Sequence, residues 1–288
     1  MRPDLECGPC LIKWVYERSG VLANQEKRFQ LIRNILEVLS LEFDPTANVG
    51  WLSNRITNSI HEFIIDSAAY YEGLKLQSNK LAGDLLKSAR NFIEGGQSPQ
   101  EKFQRACGLS AATNVAPIGA PSEGFKFQEA LNIMKEKKPF PTVMGDVFKA
   151  AQGATRVLYI TDNAGEIGFD SLLIAKLKEI GLKVTLMVKE EPFFEDATLK
   201  DASFFGLDKL VDHISIVKGF FVLDKSPTAH RDLFMKSDLL IAKGTGNYEA
   251  LKDELDGKKA IFMLKVKCGP IAADTGADLG SFIVKLAQ

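Results

Sequence analysis

The second half of the chain alternates short apolar runs, rich in β-branched residues, with stretches of helical periodicity. Five runs have the length and composition of strands, and they lie at residues 156–160, 183–188, 213–217, 238–242 and 260–266. Helical patterns separate them, at about 167–180, 198–205 and 230–235 and in a segment that ends at Leu251. Strands joined through helices run parallel, with helices on both faces of the sheet. The pattern therefore predicts an α/β domain of three layers with a mainly parallel sheet of about five or more strands.

The first half of the chain has helical periodicity throughout and no useful β-type alternation. In segment 31–39, an apolar stripe recurs at helical spacing, and it consists of Leu31, Ile32, Ile35, Leu36 and Leu39. The pattern changes after Pro139 and Pro141. We therefore expect a helical domain at residues 1–140, with its boundary between 95 and 140, and an α/β domain at residues 141–288.

Composition and charge exclude several classes of protein. The 36 Lys and Arg residues and the 37 Asp and Glu residues leave a net charge of −1, so we expect no nucleic-acid partner. No window approaches about 18 uninterrupted apolar residues, so we expect no membrane span. The opening residues lack the apolar core of a secretory signal, and four cysteines are too few for a disulfide scaffold. A cytoplasmic, reduced protein is the expectation, and its oligomeric state is left undetermined.

Polar residues follow the predicted strands, where parallel α/β sheets bind their ligands. The residues on this edge of the sheet are Asp162, Asn163, Glu166, Asp196, Lys243, Asn247 and Lys267. Carboxylate and amide oxygens suit Mg²⁺ or Mn²⁺, and lysines beside a glycine-spaced loop suit phosphate. The combination predicts phosphoryl transfer or phosphate hydrolysis. Each feature also has a simpler interpretation, since the two aspartates could cap helices, Gly244 and Gly246 could form a turn, and Lys267 could be solvated.

Five segments carry a family resemblance. They are ECGPC at 6–10, TDNAGE with the following FD at 161–170, EDAT at 195–198, KGTGNYE at 243–249 and VKC at 266–268. The chain resembles the metal-dependent damage-control phosphatases, which were once catalogued as a domain of unknown function and include proteins described as acidic-residue methyltransferase-like. The resemblance implies a helical N-terminal region beside a Rossmann-like domain. It also implies hydrolysis of phosphomonoesters of small metabolites, such as sugar phosphates, nucleotides, or damaged and side-product phosphates.

The resemblance also implies roles for individual residues. Asp162, Asn163 and Asp196 would hold the divalent cation, Mg²⁺ or Mn²⁺, with Co²⁺ or Ni²⁺ as alternatives. The substrate would contact a larger set, which comprises Asn114, Glu166, Thr245, Gly246, Asn247, Tyr248, Glu249 and Lys267. We add Lys243 on the ground of its charge and position, and expect both lysines to act in catalysis by holding the phosphate. A metal-activated water would attack phosphorus, and the rival hypothesis makes Asp162 a covalent nucleophile.

Two segments depart from the family pattern. Family members tend to carry Asp-Pro-Tyr where this chain has Ala69, Tyr70 and Tyr71, although Lys75 and Asn79 of the same segment are retained. A second acidic residue is replaced by Pro117. These losses leave open a non-catalytic metabolite-binding protein. A second alternative is an S-adenosylmethionine-dependent methyltransferase, although the first loop lacks the glycine-rich turn that such a site favours.

Cys7 and Cys10 form a CxxC motif that none of these roles uses. The pair is half of a metal site, for which Cys107, His61 or a second chain could supply the other ligands. It could also be a redox pair, or two reduced thiols at the start of a helix.

Overall fold

A seven-stranded sheet forms the centre of the molecule. The computed structural model describes residues 1–21, 24–117, 121–135 and 140–288, so the predicted change of pattern at Pro139 lies outside the described residues. The strands are β1 (Thr142–Met144), β2 (Arg156–Ile160), β3 (Lys183–Lys189), β4 (His213–Val217), β5 (Leu239–Lys243), β6 (Lys259–Lys265) and β7 (Phe282–Ala287). Their order in the sheet is β1-β7-β6-β5-β2-β3-β4, and every pair is parallel except β6 with β7.

Fourteen helices are present in the described part of the chain. Seven precede the sheet: α1 (Cys7–Arg18), α2 (Gln25–Glu42), α3 (Val49–Ser59), α4 (His61–Asp66), α5 (Ala68–Glu94), α6 (Pro99–Ala112) and α7 (Gln128–Met134). Seven lie among the strands: α8 (Val147–Gln152), α9 (Glu166–Glu179), α10 (Leu199–Phe204), α11 (Leu207–Leu210), α12 (Thr228–Lys236), α13 (Thr245–Leu251) and α14 (Gly269–Thr275). Short 3₁₀ turns occur at Ser19–Val21 and Leu223–Lys225.

Both faces of the sheet are buried, which explains why its central strands read as nearly continuous apolar runs. In β2, Val157 and Tyr159 belong to a core shared with α5, α6 and α9, whereas Leu158 and Ile160 face a core shared with α3 and α13. Side chains alternate along a strand, so each strand supplies both cores. The α/β fold with three layers is confirmed, and the five predicted runs are β2 to β6.

The helical half packs directly on the sheet. Helices α5 and α6 lie against α9, and α6 also contacts β6 and β7. A third hydrophobic cluster contains residues from each of the five helices α1, α2, α3, α4 and α5. Leu31 and Ile35 of α2 belong to it. Leu36 is 49% exposed, so the apolar stripe of α2 is narrower than predicted. The division into domains near residue 140 stays a prediction.

The described residues contain no helix that is both long enough and apolar enough to cross a membrane. Helix α5, the longest at 27 residues, is amphipathic, and its buried side chains Lys75 and Asn79 contact the segments that follow β2 and β3.

We expect β7 to contribute strongly to stability, because Ile283 and Val284 are fully buried between β1 and β6. Replacement of a buried isoleucine by alanine removes contacts and leaves a cavity, so Ile283→Ala should lower the free energy of unfolding by about 2–5 kcal/mol. Leu41→Ala is the control, since Leu41 is 78% exposed and its loss should cost no more than roughly 0.5 kcal/mol. Urea titration measures both values. Equal effects in the two variants would contradict this packing.

Candidate active site

Two loops that follow β2 and β3 are tied together at the carboxyl edge of the sheet. The Ala197 amide donates to the carbonyl of Asp162 at 2.7 Å, and the Ala164 amide donates to the carbonyl of Glu195 at 2.9 Å. These bonds form an isolated antiparallel bridge between Asn163 and Asp196. The pairing brings together the three residues expected to hold a cation, Asp162, Asn163 and Asp196.

Helix capping does not account for the two aspartates. The residue that caps α9 is Gly165, and the residue that caps α10 is Thr198, whose side chain closes a capping box with Asp201. Asp162 and Asp196 therefore lie outside the helix ends, and the simpler interpretation of these residues is wrong.

Two amide side chains hold the carboxylate of Asp162. Its Oδ2 accepts hydrogen bonds from Asn114 Nδ2 at 2.7 Å and from Asn163 Nδ2 at 2.8 Å. The amide oxygen of Asn114 in turn accepts from the Lys265 amide at 3.1 Å. Asn114 thus links the end of α6 to β6 and to Asp162, and it acts below the cavity rather than in its wall.

Gly244 allows the loop after β5 to approach the same carboxylate. Its φ is +81°, and a Cβ atom at this position would lie 2.1 Å from Asp162 Oδ2. Only glycine satisfies both the left-handed conformation and this close contact. Glycine is therefore required at position 244 because the backbone there packs against the carboxylate of Asp162.

Lys243 lies beneath the cavity in a buried ion-pair network. Its ammonium donates to Asp170 Oδ1 at 2.9 Å and to Glu166 Oε2 at 3.1 Å, and all three side chains are fully buried. Glu166 also accepts from Asn163 Nδ2 at 2.7 Å, and burial raises its pKa against the attraction of Lys243. Neither Lys243 nor Glu166 lines the cavity, and their contact with the substrate stays a prediction.

Asp196 presents an oxygen that lacks a hydrogen-bond donor. No described residue donates to its buried Oδ2, and the nearest cation, the Lys189 ammonium, is 3.8 Å away. Lys189 itself donates to the carbonyl of Gly219 at 2.7 Å and lies 4.1 Å from the centre of the Phe220 ring. Burial raises the pKa of Asp196 well above its usual range.

The charge of the cluster suits a divalent cation. Four buried carboxylates, those of Asp162, Glu166, Asp170 and Asp196, face two buried ammonium groups, those of Lys189 and Lys243. When all are ionised, two negative charges remain uncompensated, and an uncompensated buried charge is costly. The donors are oxygens, which favour a hard cation. No three His, Cys, Asp or Glu side chains of the described residues form a preformed metal group, since the third expected ligand is Asn163.

A cavity of about 540 Å³ opens beside these ligands. Seven of the predicted site residues line it: Asp162, Asn163, Asp196, Thr245, Gly246, Glu249 and Lys267. Burial raises the pKa of Glu249 to about 7, while the N-terminal amine and Lys267 oppose the rise. Aromatic rings complete the wall, and they belong to Trp14, Phe193, Phe194 and Phe220.

Asn247 and Tyr248 do not line the cavity. Asn247 Nδ2 donates to the carbonyls of Thr161 and Lys243 at 2.9 and 2.7 Å, so it joins the ends of β2 and β5. The Tyr248 hydroxyl donates to Asp274. Both side chains are thus engaged in contacts within the protein, and their contact with the substrate stays a prediction.

The retained residues of α5 support the paired loops from below. Lys75 pairs with Asp201 at 2.8 Å, and Asn79 Nδ2 donates to the same carboxylate at 2.8 Å. Asn79 Oδ1 accepts from the Gly165 amide at 2.7 Å. Of the two departures from the family pattern, Ala69 is exposed away from the cavity, whereas Pro117 lines it.

Helix α1 contributes residues that the sequence did not indicate. The Arg18 guanidinium pairs with Glu195, the neighbour of Asp196, in a buried contact. It also lies 5.0 Å from the Trp14 ring centre and 5.2 Å from that of Phe194. These contacts join α1 to the loop after β3, and no local motif marks them.

The cysteines are arranged differently from the prediction. Cys7 and Cys10 line the cavity together with Cys268. The suggested partner Cys107 is buried in the core around α6, and His61 lies outside the cavity wall. The third thiol near the pair is therefore Cys268, which the sequence analysis did not connect to it.

Comparisons with known proteins agree with this architecture. The sequence model of the damage-control phosphatase ARMT1-like domain matches residues 4–283. A damage-control phosphatase of Archaeoglobus fulgidus is 29% identical over 287 residues, which cover 98% of each chain. One from Pyrococcus horikoshii is 27% identical over 291 residues, covering 98% of this chain and 97% of the relative.

A solved structure has the same fold. The crystal structure of a DUF89 family protein from Pyrococcus horikoshii matches with a TM-score of 0.81 at 25% identity, and the match covers all of both chains. The predicted family and the predicted phosphatase class are thereby confirmed. The chain belongs to the damage-control phosphatase ARMT1-like domain family, whose members are generally metal-dependent.

Proposed function

We propose that the cavity at the carboxyl edge of the sheet hydrolyses phosphomonoesters of small metabolites with one Mg²⁺ or Mn²⁺ ion. The observation that carries the proposal is the pairing of the loops after β2 and β3. This pairing sets two carboxylates and one amide, those of Asp162, Asp196 and Asn163, side by side in the cavity wall. Full ionisation of the buried cluster would leave two negative charges unmatched, which supports a divalent ion at that position.

Asp162, Asn163 and Asp196 would hold the ion. Such an ion neutralises charge that develops on phosphoryl oxygens and lowers the pKa of water. Asn163 donates through its nitrogen to Asp162 and Glu166, so the oxygen of its planar amide is free of those two bonds. Asn114 and Gly244 fix the position of Asp162, which is a task for positioning residues rather than for groups that touch the substrate.

Lys267 would hold the phosphate opposite the acidic ligands. Lys267 is half-buried in the cavity wall. It lies near Glu249, and its positive charge opposes the rise that burial causes in the pKa of Glu249. Near neutral pH the Glu249 carboxyl group populates both protonation states, so it can donate to or accept from a substrate hydroxyl. The Thr245 hydroxyl and the backbone of Gly246 complete this side of the site.

Water is the nucleophile in this proposal. None of the three cysteines in the cavity wall suits the role, because burial raises the pKa of all three thiols. Asp162 is assigned to the ion and two amide donors occupy its Oδ2, so only its Oδ1 would serve the rival covalent route. Acid quenching of a single turnover of ³²P-labelled p-nitrophenyl phosphate with excess enzyme tests the step, and phosphate found attached to Asp162 would make the covalent route correct.

The identity of the metabolite stays open within the class of small phosphomonoesters. A cytoplasmic location and the lack of nucleic-acid and membrane partners stay predictions.

The metal assignment predicts a specific loss in variants of the ligands. Asp162→Ala and Asp196→Ala should abolish both the rise in Tm caused by Mn²⁺ and the Mn²⁺-dependent release of nitrophenol from p-nitrophenyl phosphate. Asp224→Ala is the control, because Asp224 is exposed and pairs with Lys225 at the surface. Protein stripped with EDTA should be inactive until Mg²⁺ or Mn²⁺ is restored. An unchanged affinity for Mn²⁺ in Asp162→Ala would contradict the assignment.

If Lys267 holds the phosphate, its positive charge should contribute more to kcat/KM than the shape of its side chain. Lys267→Met should lower kcat/KM by roughly 10²-fold, which is the effect of removing one oxyanion donor. Lys267→Arg should recover part of the loss because it restores the charge. Lys13→Met is a matched control, since Lys13 also borders the cavity but its side chain is 67% exposed. If both methionine variants lose the same activity, Lys267 has no special role.

The contact between Gly244 and Asp162 predicts a large effect from one methyl group. Gly244→Ala should displace the Asp162 carboxylate and lower kcat/KM by roughly 10²-fold, as small misplacements of catalytic groups do. Gly257→Ala separates this effect from backbone strain, because Gly257 has a similar φ of +76° and no atom within 4 Å of the added methyl group. Both variants should lose stability, and only Gly244→Ala should lose the stabilisation by Mn²⁺. Circular dichroism and thermal melts with and without Mn²⁺ provide the comparison.

A further inference from the structure

Three of the four cysteines meet in the cavity wall, and the proposed phosphatase chemistry uses none of them. Cys7 and Cys10 lie in the first turn of α1, and Cys268 is the residue that precedes α14. All three thiols are free. The cluster therefore needs an explanation of its own.

The starts of α1 and α14 are in direct contact. A Cβ atom on Gly269 would lie 3.0 Å from Glu6 Oε1, so the residues beside Cys7 and Cys268 touch each other. Cys7 and Cys268 also pack in the same hydrophobic cluster. Burial, and to a smaller extent the neighbouring Glu249, Cys268 and Cys7, raise the pKa of Cys10 to about 11. The three thiols are thus close neighbours that come from opposite ends of the chain.

Among the described residues, the three cysteines are not part of a group of three or more His, Cys, Asp or Glu side chains that could hold a metal, which favours a reaction that requires two sulfur atoms. Cys7 is buried, and its Sγ accepts a hydrogen bond from the Asp4 amide at 3.4 Å. Cys10 and Cys268 are only half-buried and border the open space of the cavity. Small reagents can therefore reach Cys10 and Cys268 more readily than Cys7.

We propose that Cys10 and Cys268 form a reversible disulfide by exchange with a low-molecular-weight disulfide, and that this bond lowers the activity of the adjacent site. One cysteine attacks a sulfur of the reagent, forms a mixed disulfide and releases one thiol, which takes the proton. The second cysteine then displaces the other half of the reagent as a second thiol. Two protein thiols are oxidised, and the reagent disulfide is reduced to two thiols.

The position of the bond explains its effect on the site. Cys268 follows Lys267 directly, so a bond to Cys10 would tie the phosphate-binding lysine to α1. The other end of α1 carries Arg18, which pairs with Glu195 beside Asp196. The cross-link would therefore restrain both sides of the cavity. The effect on activity rests on the proposed function, whereas the formation of the bond does not.

Burial of the two thiols affects the rate at which the disulfide forms. Burial raises the pKa of Cys10 and of Cys268 to about 11 in each case, so few thiolates are present near neutral pH and the bond forms slowly. Burial disfavours the thiolate form of the reduced pair more than Lys13 and the backbone of Ile271 favour it, so the disulfide persists once it is made. The bond would also close a loop of nearly the whole chain, which constrains the unfolded state.

The test uses the full-length protein, reduced or treated with oxidised glutathione, with free thiols then blocked by N-ethylmaleimide at low pH. Peptide mapping by mass spectrometry should find Cys10 linked to Cys268. The oxidised protein should melt at a higher temperature, and its kcat/KM for p-nitrophenyl phosphate should fall by roughly tenfold or more. Dithiothreitol should reverse both changes.

Cysteine variants decide which thiols react. In Cys7→Ala, the linkage and the ratio of oxidised to reduced activity should match those of the unmodified chain. In Cys10→Ala and Cys268→Ala, the linked peptide should be absent, and oxidation should leave the activity of each variant unchanged.

Other outcomes would overturn the proposal. A bond from Cys7 to either partner, or glutathione adducts alone, would show that the pair is wrong. A Cys10–Cys268 bond that leaves kcat/KM unchanged would refute the regulatory effect. If the reduced protein hydrolyses no phosphomonoester, the proposed function fails, and the mapped peptides and the Tm still report on the bond.

Discussion

The buried ammonium of Lys243 organises the carboxyl edge of the sheet. An ammonium with no exposed surface is stable only when opposite charges and hydrogen bonds replace its water, and here Glu166 and Asp170 do so. Lys243 ends β5, whereas Glu166 begins α9 and Asp170 lies one turn later. The pair therefore fixes the start of α9 over the end of β5. The loop that carries Asp162 and Asn163 joins β2 to α9, so it is held at both ends, and its backbone pairs with that of the loop containing Asp196.

The same interaction leaves the neighbouring charges unbalanced. Lys243 is shared by two carboxylates, and Lys189 is 3.8 Å from the third, Asp196, so the two ammonium groups cannot neutralise the whole acidic cluster. A fold that buries such an excess gives up stability in the absence of a cation. The arrangement makes sense as a site whose charge is completed by its ligand, which is consistent with a family of metal-dependent phosphatases.

The sequence predicted the sheet better than it predicted the individual contacts. Runs of β-branched residues indicated β2 to β6, because strands buried on both faces contain little else. Strand β1 has three residues, too few to show any periodicity, and β7 has partly exposed positions that weaken its pattern. The parallel topology then placed the polar loops on one edge. Asp162, Asn163 and Asp196 were predictable for this reason, since each follows a strand directly or within one loop.

The residues of the segment 243–249 divide between the cavity and the interior for a geometric reason. The segment contains the end of a strand and most of a helix, and each of these presents only one side to the cavity. Thr245 and Glu249, four residues apart on α13, face the cavity, whereas Asn247 and Tyr248 between them point into the protein. Cys268 was not connected to Cys7 and Cys10, because only the fold brings the two ends of the chain together.

The position of β7 has a consequence for the order in which the molecule can be assembled. This strand comes last in chain order among the described strands, yet it lies inside the sheet, between β1 and β6. During synthesis, β6 therefore keeps an open edge and β1 has no neighbour until residues 282–287 leave the ribosome. Helix α6 is synthesised well before β7, and until β7 forms, α6 lacks part of the sheet surface on which it packs. An open edge beside an uncovered apolar surface invites aggregation, so the nascent chain is most exposed to it while β1 to β6 are available and β7 is not.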